Sequence, residues 1–258
     1  MLLAVDVGNS TITLGCMEEG RTLFTERIST DKSRTSLEYA ILFQTAFSIH
    51  SASVDDVDGA IIGSVVPPVT PVIRTALRKI CHVSALTVGP GLKTGMSIRM
   101  DDPSTVGADL IAGAVGALDR YEPPMVVIDM GTATTMAVID GNRNYIGGMI
   151  MPGIRLSLSS LVSETSMLQG ISLEKPGRTI GKNTADAMRS GIIYGHAAMI
   201  DGLIDRAEAE LGRKAHVIAT GGLAGTVIGQ CHTEITLERN LVLDGLIAIY
   251  RRNLRRLV

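Results

Sequence analysis

Two carboxylates, Asp6 and Asp129, each follow a short apolar run that is rich in β-branched residues, and each precedes a glycine by two positions. Such a run indicates a buried strand, and Gly8 or Gly131 permits a tight turn into a second strand. Hydroxyl and amide side chains follow both glycines, and together with backbone N–H groups they can approach a phosphate closely. A carboxylate beside such a turn lies where a divalent cation on that phosphate would bind. The two stretches therefore predict two phosphate-binding turns.

The two stretches are also copies of one another. Three residues of the first match three residues of the second at a constant offset (129 − 6 = 123): Asp6 with Asp129, Gly8 with Gly131, and Thr11 with Thr134. One copy alone is equally compatible with an ordinary β-hairpin in which the Asp caps a turn. Two copies half a chain apart favour a duplicated unit with a ligand at each turn.

Composition excludes several classes of function. The chain has 258 residues, of which 45% are hydrophobic but only 3% aromatic, so we expect an aliphatic core. A net charge of −2 argues against nucleic acid or an anionic membrane as the main partner. Three cysteines without paired spacing indicate reduced thiols and a cytoplasmic location. We expect neither a signal peptide nor a membrane span, because the first residues lack a basic start and no uninterrupted apolar run is long enough.

Secondary-structure patterns repeat along with the two turns. After the first hairpin, the sequence predicts a strand at 21–28, a helix at 37–50, a strand at 59–66, a helix at 69–81 and a strand at 85–88. The second half predicts a hairpin at 126–139, a strand at 145–150, helices near 154–161 and 184–211, and a strand at 216–220. This order resembles a duplicated α/β ribonuclease-H-like fold, that is, an actin-like ATPase fold. We therefore expect two domains, residues 1–120 and 121–258, facing each other across a cleft with a carboxylate turn on each wall.

The segment between the two halves contains an isolated carboxylate. Asp102 and Pro103 have the types expected at the N-cap and first position of a helix that would run on through small residues to Ala117. Asp109 is the one charged residue of its otherwise apolar stretch as far as Asp119. An exposed or locally capped Asp is an equally good interpretation from these residues alone.

Three further features are weaker. Residues 147–153 and 220–225 predict glycine-rich turns between a strand and a helix, where backbone N–H groups are available to anions. Thr184 has the type and position of a plain helix N-cap. The basic residues at 251–256 indicate the solvated last turns of a helix.

Taken in order, these motifs resemble those of type III pantothenate kinases, members of the acetate and sugar kinase/Hsp70/actin superfamily. The resemblance covers the whole chain and rests on the combination of six motifs: Asp6-Val7-Gly8-Asn9-Ser10, Gly107-Ala108-Asp109, Asp129-Met130-Gly131-Thr132-Ala133-Thr134-Thr135, Gly147-Gly148-Met149-Ile150-Met151-Pro152-Gly153, Gly181-Lys182-Asn183-Thr184 and Thr220-Gly221-Gly222. It implies ATP-dependent phosphorylation of pantothenate to 4′-phosphopantothenate, the first step of coenzyme A biosynthesis.

The resemblance also implies roles for individual residues. Asp109 would be the general base, and Asp129 would bind an activating monovalent cation, K⁺ or NH₄⁺. Thr132 would contact ATP, and Asp6 would lie near the Mg²⁺ of the nucleotide. The first ATP phosphate-binding loop would consist of Asp6, Val7, Gly8, Asn9, Ser10, Thr11, Ile12 and Thr13. The pantothenate pocket would be lined by Gly107, Ala108, Asp109, Leu110 and Thr184. A homodimer with the substrate site at the subunit interface is implied as well.

Two departures from the family pattern lie on the pantothenate side. Leu110 stands where the family usually has Arg, so a side chain with up to five hydrogen-bond donors is replaced by one with none. Met100 stands where many members have a polar aromatic residue. Leu110 leaves open a nucleotide-binding regulatory paralogue without turnover. A ribonuclease-H-type nuclease with a metal bound by Asp6, Asp109 and Asp129 is a third interpretation, which the near-neutral charge disfavours.

Overall fold

A computed structural model describes residues 1–18 and 20–254. The strands are β1 Leu2–Val7, β2 Thr11–Glu18, β3 Arg21–Ser29, β4 Gly59–Ser64, β5 Leu86–Thr87, β6 Ser97–Ile98, β7 Met125–Met130, β8 Ala133–Ile139, β9 Asn144–Pro152, β10 His216–Thr220 and β11 Thr236–Leu237. The helices are α1 Ser36–Ile49, α2 Thr70–Cys81, α3 Ala108–Leu118, α4 Ile154–Ser163, α5 Thr184–Leu211, α6 Ala224–Val227 and α7 Leu241–Asn253. None of the helices within the described ranges is long and apolar enough to cross a membrane.

The duplication predicted from the sequence is present in the sheets. One sheet has the order β3-β2-β1-β4-β5, and the other has the order β9-β8-β7-β10-β11 with β6 added beside β9. In each sheet, three strands that follow one another along the chain are antiparallel: β1 to β3 in one and β7 to β9 in the other. The next strand, β4 or β10, pairs in parallel with β1 or β7. The α/β class with mixed sheets is therefore confirmed.

The chain divides into two compact units. Unit 1 comprises Met1–Met96, Asp101–Asp119 and the described part of Leu241–Val258, and unit 2 comprises Ser97–Met100 and Arg120–Asn240. This division differs from a single boundary between residues 120 and 121 in two ways. The strand β6 adds to the edge of the second sheet, because its residues pair with Asn144 and Tyr145. The helix α7 belongs to unit 1, because it packs against α3, β1 and β4.

Helices cover both faces of the first sheet. Alternate residues of β1, such as Leu3 and Val5, point into a cluster formed with α1 and α2. The opposite face contacts α7, where the side chains of Leu243 and Leu246 lie against Gly15 and Gly63. A Cβ at Gly63 would come within 2.9 Å of Leu246. Small residues in these strands thus let α7 lie close to the sheet that carries Asp6.

In unit 2, α4 and α5 supply side chains to the core on one face of the second sheet. The helix α5 begins as predicted at Thr184, but Asn183 is its N-cap, and the Asn183 side chain accepts a hydrogen bond from the Asp186 amide at 2.8 Å. The prediction that Thr184 is the cap was wrong by one residue, since an Asn directly before it satisfies the same amide. Gly212, with a φ of 70°, ends the helix in the left-handed conformation.

Three other predictions need correction. Asp102 caps only a short 3₁₀ turn, Pro103–Thr105, after which the backbone extends and α3 begins at Ala108. The predicted turn at 147–153 is mostly strand, because β9 continues to Pro152. At the basic end of the chain, Arg252 is not simply solvated, since it binds Asp119 and the carbonyl oxygen of Thr94. Arg255 and Arg256 lie outside the described residues.

Candidate active site

The first predicted phosphate-binding turn connects β1 to β2. The Gly8 amide donates to the carbonyl oxygen of Thr11 at 3.0 Å, and the side chains of Asn9 and Ser10 are exposed. Thr30, just after β3, fixes the turn from outside: its hydroxyl donates to the Gly8 carbonyl at 2.6 Å and its amide donates to the Ser10 carbonyl at 3.1 Å. The turn is thus held through hydrogen bonds to its own backbone, while its polar side chains remain accessible.

Asp6 lies at the end of β1, partly buried, with Thr13 of β2 and Gly63 of β4 as its cross-strand neighbours. The side chains of Val7 and Ile12, in contrast, are fully buried in the core. Of the eight residues predicted to form the loop, these two can therefore contact a ligand only through their backbone.

The second turn connects β7 to β8. The Gly131 amide donates to the carbonyl oxygen of Ala133 at 3.0 Å, and the Thr132 side chain is exposed. The Gly153 amide, at the start of α4, donates to the Thr132 carbonyl at 3.2 Å. A Cβ on Gly153 would lie 2.3 Å from that oxygen, so only glycine permits this approach. The beginning of α4 therefore supports the turn that carries Thr132.

The two turns differ in length by one residue, and this changes which threonines correspond. Asp6 pairs with Thr13, and Asp129 pairs with Thr135. Both threonines are partly buried. Thr135 is thus the counterpart of Thr13 and a candidate site residue that the constant offset of 123 did not single out. The alternation of inward and outward side chains along the strand after Gly131 could have indicated Thr135. That alternation can be assigned only when the length of the turn is known.

The predicted correspondence of Thr11 with Thr134 was wrong. Val7 pairs with Ile12 in the first hairpin, and Met130 pairs with Thr134 in the second. Thr134 is fully buried, as Ile12 is, and its hydroxyl has no hydrogen-bond partner among the described residues. Thr134 is therefore a core residue whose side chain does not face a ligand.

Asp109 lies in the first turn of α3, two residues after the N-cap Gly107. Its Oδ1 accepts a hydrogen bond from the Leu110 amide at 2.8 Å. A Cβ on Gly107 would lie 2.4 Å from the same Oδ1 and 3.3 Å from Cγ1 of Val65. The absence of a side chain at Gly107 thus leaves the space that the Asp109 carboxylate occupies.

Burial raises the pKa of the Asp109 carboxyl above its ordinary value, and the hydrogen bond from the Leu110 amide opposes this effect only in part. No cation pairs with Asp109 among the described residues. A carboxylate with a raised pKa is a stronger base than an exposed one. Its environment therefore suits proton abstraction.

The remaining predicted substrate residues lie in different elements. Ala108 is buried at the start of α3, and Leu110, next to Asp109, is partly buried. Thr184 is exposed at the first position of α5, and Met100 lies partly buried in the segment Ser97–Met100. Unit 1 thus contains Gly107, Ala108, Asp109 and Leu110, and unit 2 contains Thr184 and Met100.

The acidic side chains near the turns suit a metal ion that is bound mainly by a nucleotide better than one bound by several protein side chains. The described residues contain no group of three or more His, Cys, Asp and Glu side chains that could hold a metal. A Mg²⁺ bound to ATP needs only one or two protein carboxylates, because phosphate oxygens and water complete its octahedron. Asp6, a single carboxylate one residue before the end of its strand and beside a turn, fits this requirement.

Comparison with known proteins identifies the family of this chain. A family model described as type III pantothenate kinase matches residues 2–206. The chain is 42% identical over 253 residues to a type III pantothenate kinase of Pelobacter propionicus, covering 98% of this chain and 100% of the relative. It is 45% identical over 255 residues to one from Shouchella clausii, again covering 98% and 100%.

This chain belongs to the type III pantothenate kinase family. The part matched by the family model includes both turns, Asp109 and Thr184. Among solved structures, MreB 5 of Spiroplasma citri bound to AMPPNP is similar in fold, with a TM-score of 0.58 at 9% identity, covering 100% of this chain and 98% of that one. The fold of this chain is therefore similar to that of MreB 5.

Proposed function

We propose that this protein transfers the γ-phosphoryl group of ATP to the primary hydroxyl of pantothenate, giving 4′-phosphopantothenate and ADP in the first step of coenzyme A biosynthesis. A bond forms between the hydroxyl oxygen and the γ-phosphorus, and the bond from that phosphorus to the oxygen bridging to the β-phosphate breaks. The hydroxyl proton passes to Asp109. The observation that supports this function is the similarity over nearly the whole chain to two type III pantothenate kinases, at 42% and 45% identity.

Phosphoryl transfer demands charge neutralisation and in-line placement more than covalent chemistry. In this proposal the loop from Asp6 to Thr13 and the turn with Thr132 bind the phosphates of ATP. Asp6 holds the Mg²⁺, which when bound neutralises charge on the phosphate oxygens. Exposed Asn9 and Ser10 offer side-chain donors at the first turn, and the accessible hydroxyl of Thr132 offers one at the second.

Asp129 is proposed to bind a monovalent cation, K⁺ or NH₄⁺. Its position beside the second turn matches that of Asp6 beside the first, since each carboxylate is the second-to-last residue of its strand. A singly charged cation needs fewer carboxylates than a divalent one, and the backbone oxygens of a turn can complete its coordination. An Asp129→Asn variant that is still activated by the cation at the same concentrations as the wild type would contradict this role.

Pantothenate is proposed to bind near Gly107, Ala108, Leu110 and Thr184, with Asp109 facing its primary hydroxyl. Leu110 provides no side-chain donor. We therefore expect the pantothenate carboxylate and its amide to be bound by other groups, including the Thr184 hydroxyl.

The activity is tested by incubating the purified protein with ATP, Mg²⁺, K⁺ and pantothenate and detecting 4′-phosphopantothenate by mass spectrometry. Formation of this product only when pantothenate is present supports the function. ATP binding without product, by protein that is folded, would identify a regulatory paralogue instead. In that case Leu110→Arg should restore part of the turnover.

We also propose a homodimer in the cytoplasm, with the substrate site at the subunit interface. Its mass in solution is measured by light scattering. If Asp109 and Thr184 act from different protomers, mixing an Asp109→Asn protein with an inactive Thr184 variant restores activity, because one site of each mixed dimer is intact. Absence of complementation between subunits that are shown to exchange contradicts the interface site.

A further inference from the structure

A pocket in unit 1 lies outside all the residues assigned above. It has a volume of 280 Å³ and is formed by one side of α2 and the segment that follows it. Its polar lining consists of Arg74, Thr75, Arg78 and Ser84, and its apolar lining of Pro71, Val83 and Ala85. A concave site that combines a few polar groups with an apolar wall is the usual form of a small-molecule site, and this volume suits a compound smaller than a nucleotide.

The two arginines of the pocket are not explained by helix stability. Arg74 and Arg78 are four residues apart on α2, so their side chains lie on the same face, where like charges repel. Neither forms an ion pair with any residue that the structure describes. Nη2 of Arg74 donates to the hydroxyl of Thr87 at 3.1 Å, which fixes the direction of that guanidinium.

The surrounding sequence carries a positive charge although the protein as a whole is negative. Residues 59–100 contain no Asp or Glu but include Arg74, Arg78, Lys79, Lys93 and Arg99. The whole chain, in contrast, has 26 acidic and 24 basic residues. No carboxylate from within this segment therefore competes for the guanidinium groups.

We infer that this pocket binds a small compound with a phosphate monoester group. Two guanidinium groups match the double negative charge and planar oxygen pairs of a phosphate, to which arginine binds in a bidentate manner. The Ser84 hydroxyl adds a donor, and the apolar wall contacts the organic part of the ligand. The pocket uses no residue of the proposed kinase site, so this inference does not depend on the kinase activity.

The test is a calorimetric titration of the full-length protein with glycerol 3-phosphate. A non-hydrolysable ATP analogue and Mg²⁺ are present at saturation, so that the phosphate-binding turns are occupied. Saturable binding at one site per chain is expected, weakened at least tenfold in Arg74→Gln and in Arg78→Gln. The matched control is Arg27→Gln, since Arg27 is an exposed arginine of the same unit, on β3, and lies outside the pocket.

Further titrations distinguish the chemistry of the ligand. Inorganic phosphate is expected to bind more weakly than glycerol 3-phosphate, because it leaves the apolar wall uncovered, and acetate is expected not to bind measurably. Thermal unfolding of the arginine variants should match that of the wild type, because both side chains are exposed. The inference is overturned if the wild type shows no saturable binding, if Arg27→Gln weakens it as much as the pocket variants do, or if acetate binds equally well.

Discussion

Thr134 occupies in the second hairpin the position that Ile12 occupies in the first. Each residue pairs with the last residue of the preceding strand, Met130 or Val7, and each is fully buried. Ile12 fills its place with hydrocarbon, whereas Thr134 puts a hydroxyl there without a partner among the described residues. A buried hydroxyl that makes no hydrogen bond costs about 1–3 kcal/mol. The second hairpin therefore contains a residue that is unfavourable for stability.

Replacing Thr134 by Val should leave the protein as stable as the wild type or stabilise it by up to about 1–2 kcal/mol, because the change removes only the unpaired hydroxyl at nearly constant volume. Equilibrium unfolding in urea measures the change. Thr135→Val is the control, since Thr135 is partly buried opposite Asp129 and should affect nucleotide binding. A loss of more than about 1 kcal/mol in Thr134→Val would mean that the hydroxyl is satisfied.

The case of Thr134 also shows which features could be predicted from the sequence. The strands, α5 and the duplicated sheet follow from hydrophobic periodicity, which burial enforces directly. The correspondence of Thr13 with Thr135 does not follow from periodicity, because the second turn is one residue shorter than the first. A shift of one residue moves every side chain of a strand to the other face. The placement of α7 in unit 1 was also not predictable, since it depends on packing between segments far apart in sequence.

Asp109→Asn should lower kcat by about 10²–10⁴-fold, the usual contribution of general base catalysis, while the Kd for ATP stays unchanged. The amide can still accept the hydrogen bond from Leu110 through its oxygen, so the local structure should persist. Steady-state kinetics and nucleotide titration of the same preparation measure the two quantities. Simultaneous loss of ATP binding would place Asp109 in the nucleotide site instead.

The raised pKa of Asp109 predicts how stability depends on pH. Since burial raises the folded-state pKa above the unfolded value, protonation favours the folded state, and this contribution is lost as the pH rises through the folded pKa. Asp109→Asn stays neutral, so it should have a higher Tm than the wild type at pH 7, and the difference should shrink as the pH falls below that pKa. Differential scanning fluorimetry across pH 4–8 provides the comparison, with the exposed Asp101→Asn as a control.

The same raised pKa predicts a pH profile for catalysis. The base must be unprotonated, so kcat/KM should fall with decreasing pH through a pKa higher than that of an exposed carboxyl. Leu110→Arg places a cation beside the carboxylate and should shift this acidic limb to lower pH. An unchanged limb in Leu110→Arg would indicate that another group titrates.

Gly107→Ala tests whether the space beside Asp109 matters. The new Cβ would lie 2.4 Å from Oδ1 of Asp109, so the carboxylate must move, whereas the backbone at φ −58° and ψ 144° accepts alanine. We expect at least a tenfold loss of kcat with little change in Tm, since a misplaced catalytic group is costly even when the fold is intact. A kcat equal to that of the wild type would show that the carboxylate works equally well from a second position.

Gly245→Ala tests the support of the helix that carries Asp109. Gly245 of α7 lies so close to α3 that a Cβ would be 1.8 Å from the carbonyl oxygen of Ala112, and a Cβ on Gly116 of α3 would be 2.4 Å from that of Leu241. Backbone atoms cannot rotate away, so the helices must separate. A loss of about 1–3 kcal/mol or more in the free energy of unfolding is expected, as for overpacked cores. Gly229→Ala is the matched control, because a Cβ there meets nothing within 4 Å, and equal stability of the two variants would contradict the close packing of α3 on α7.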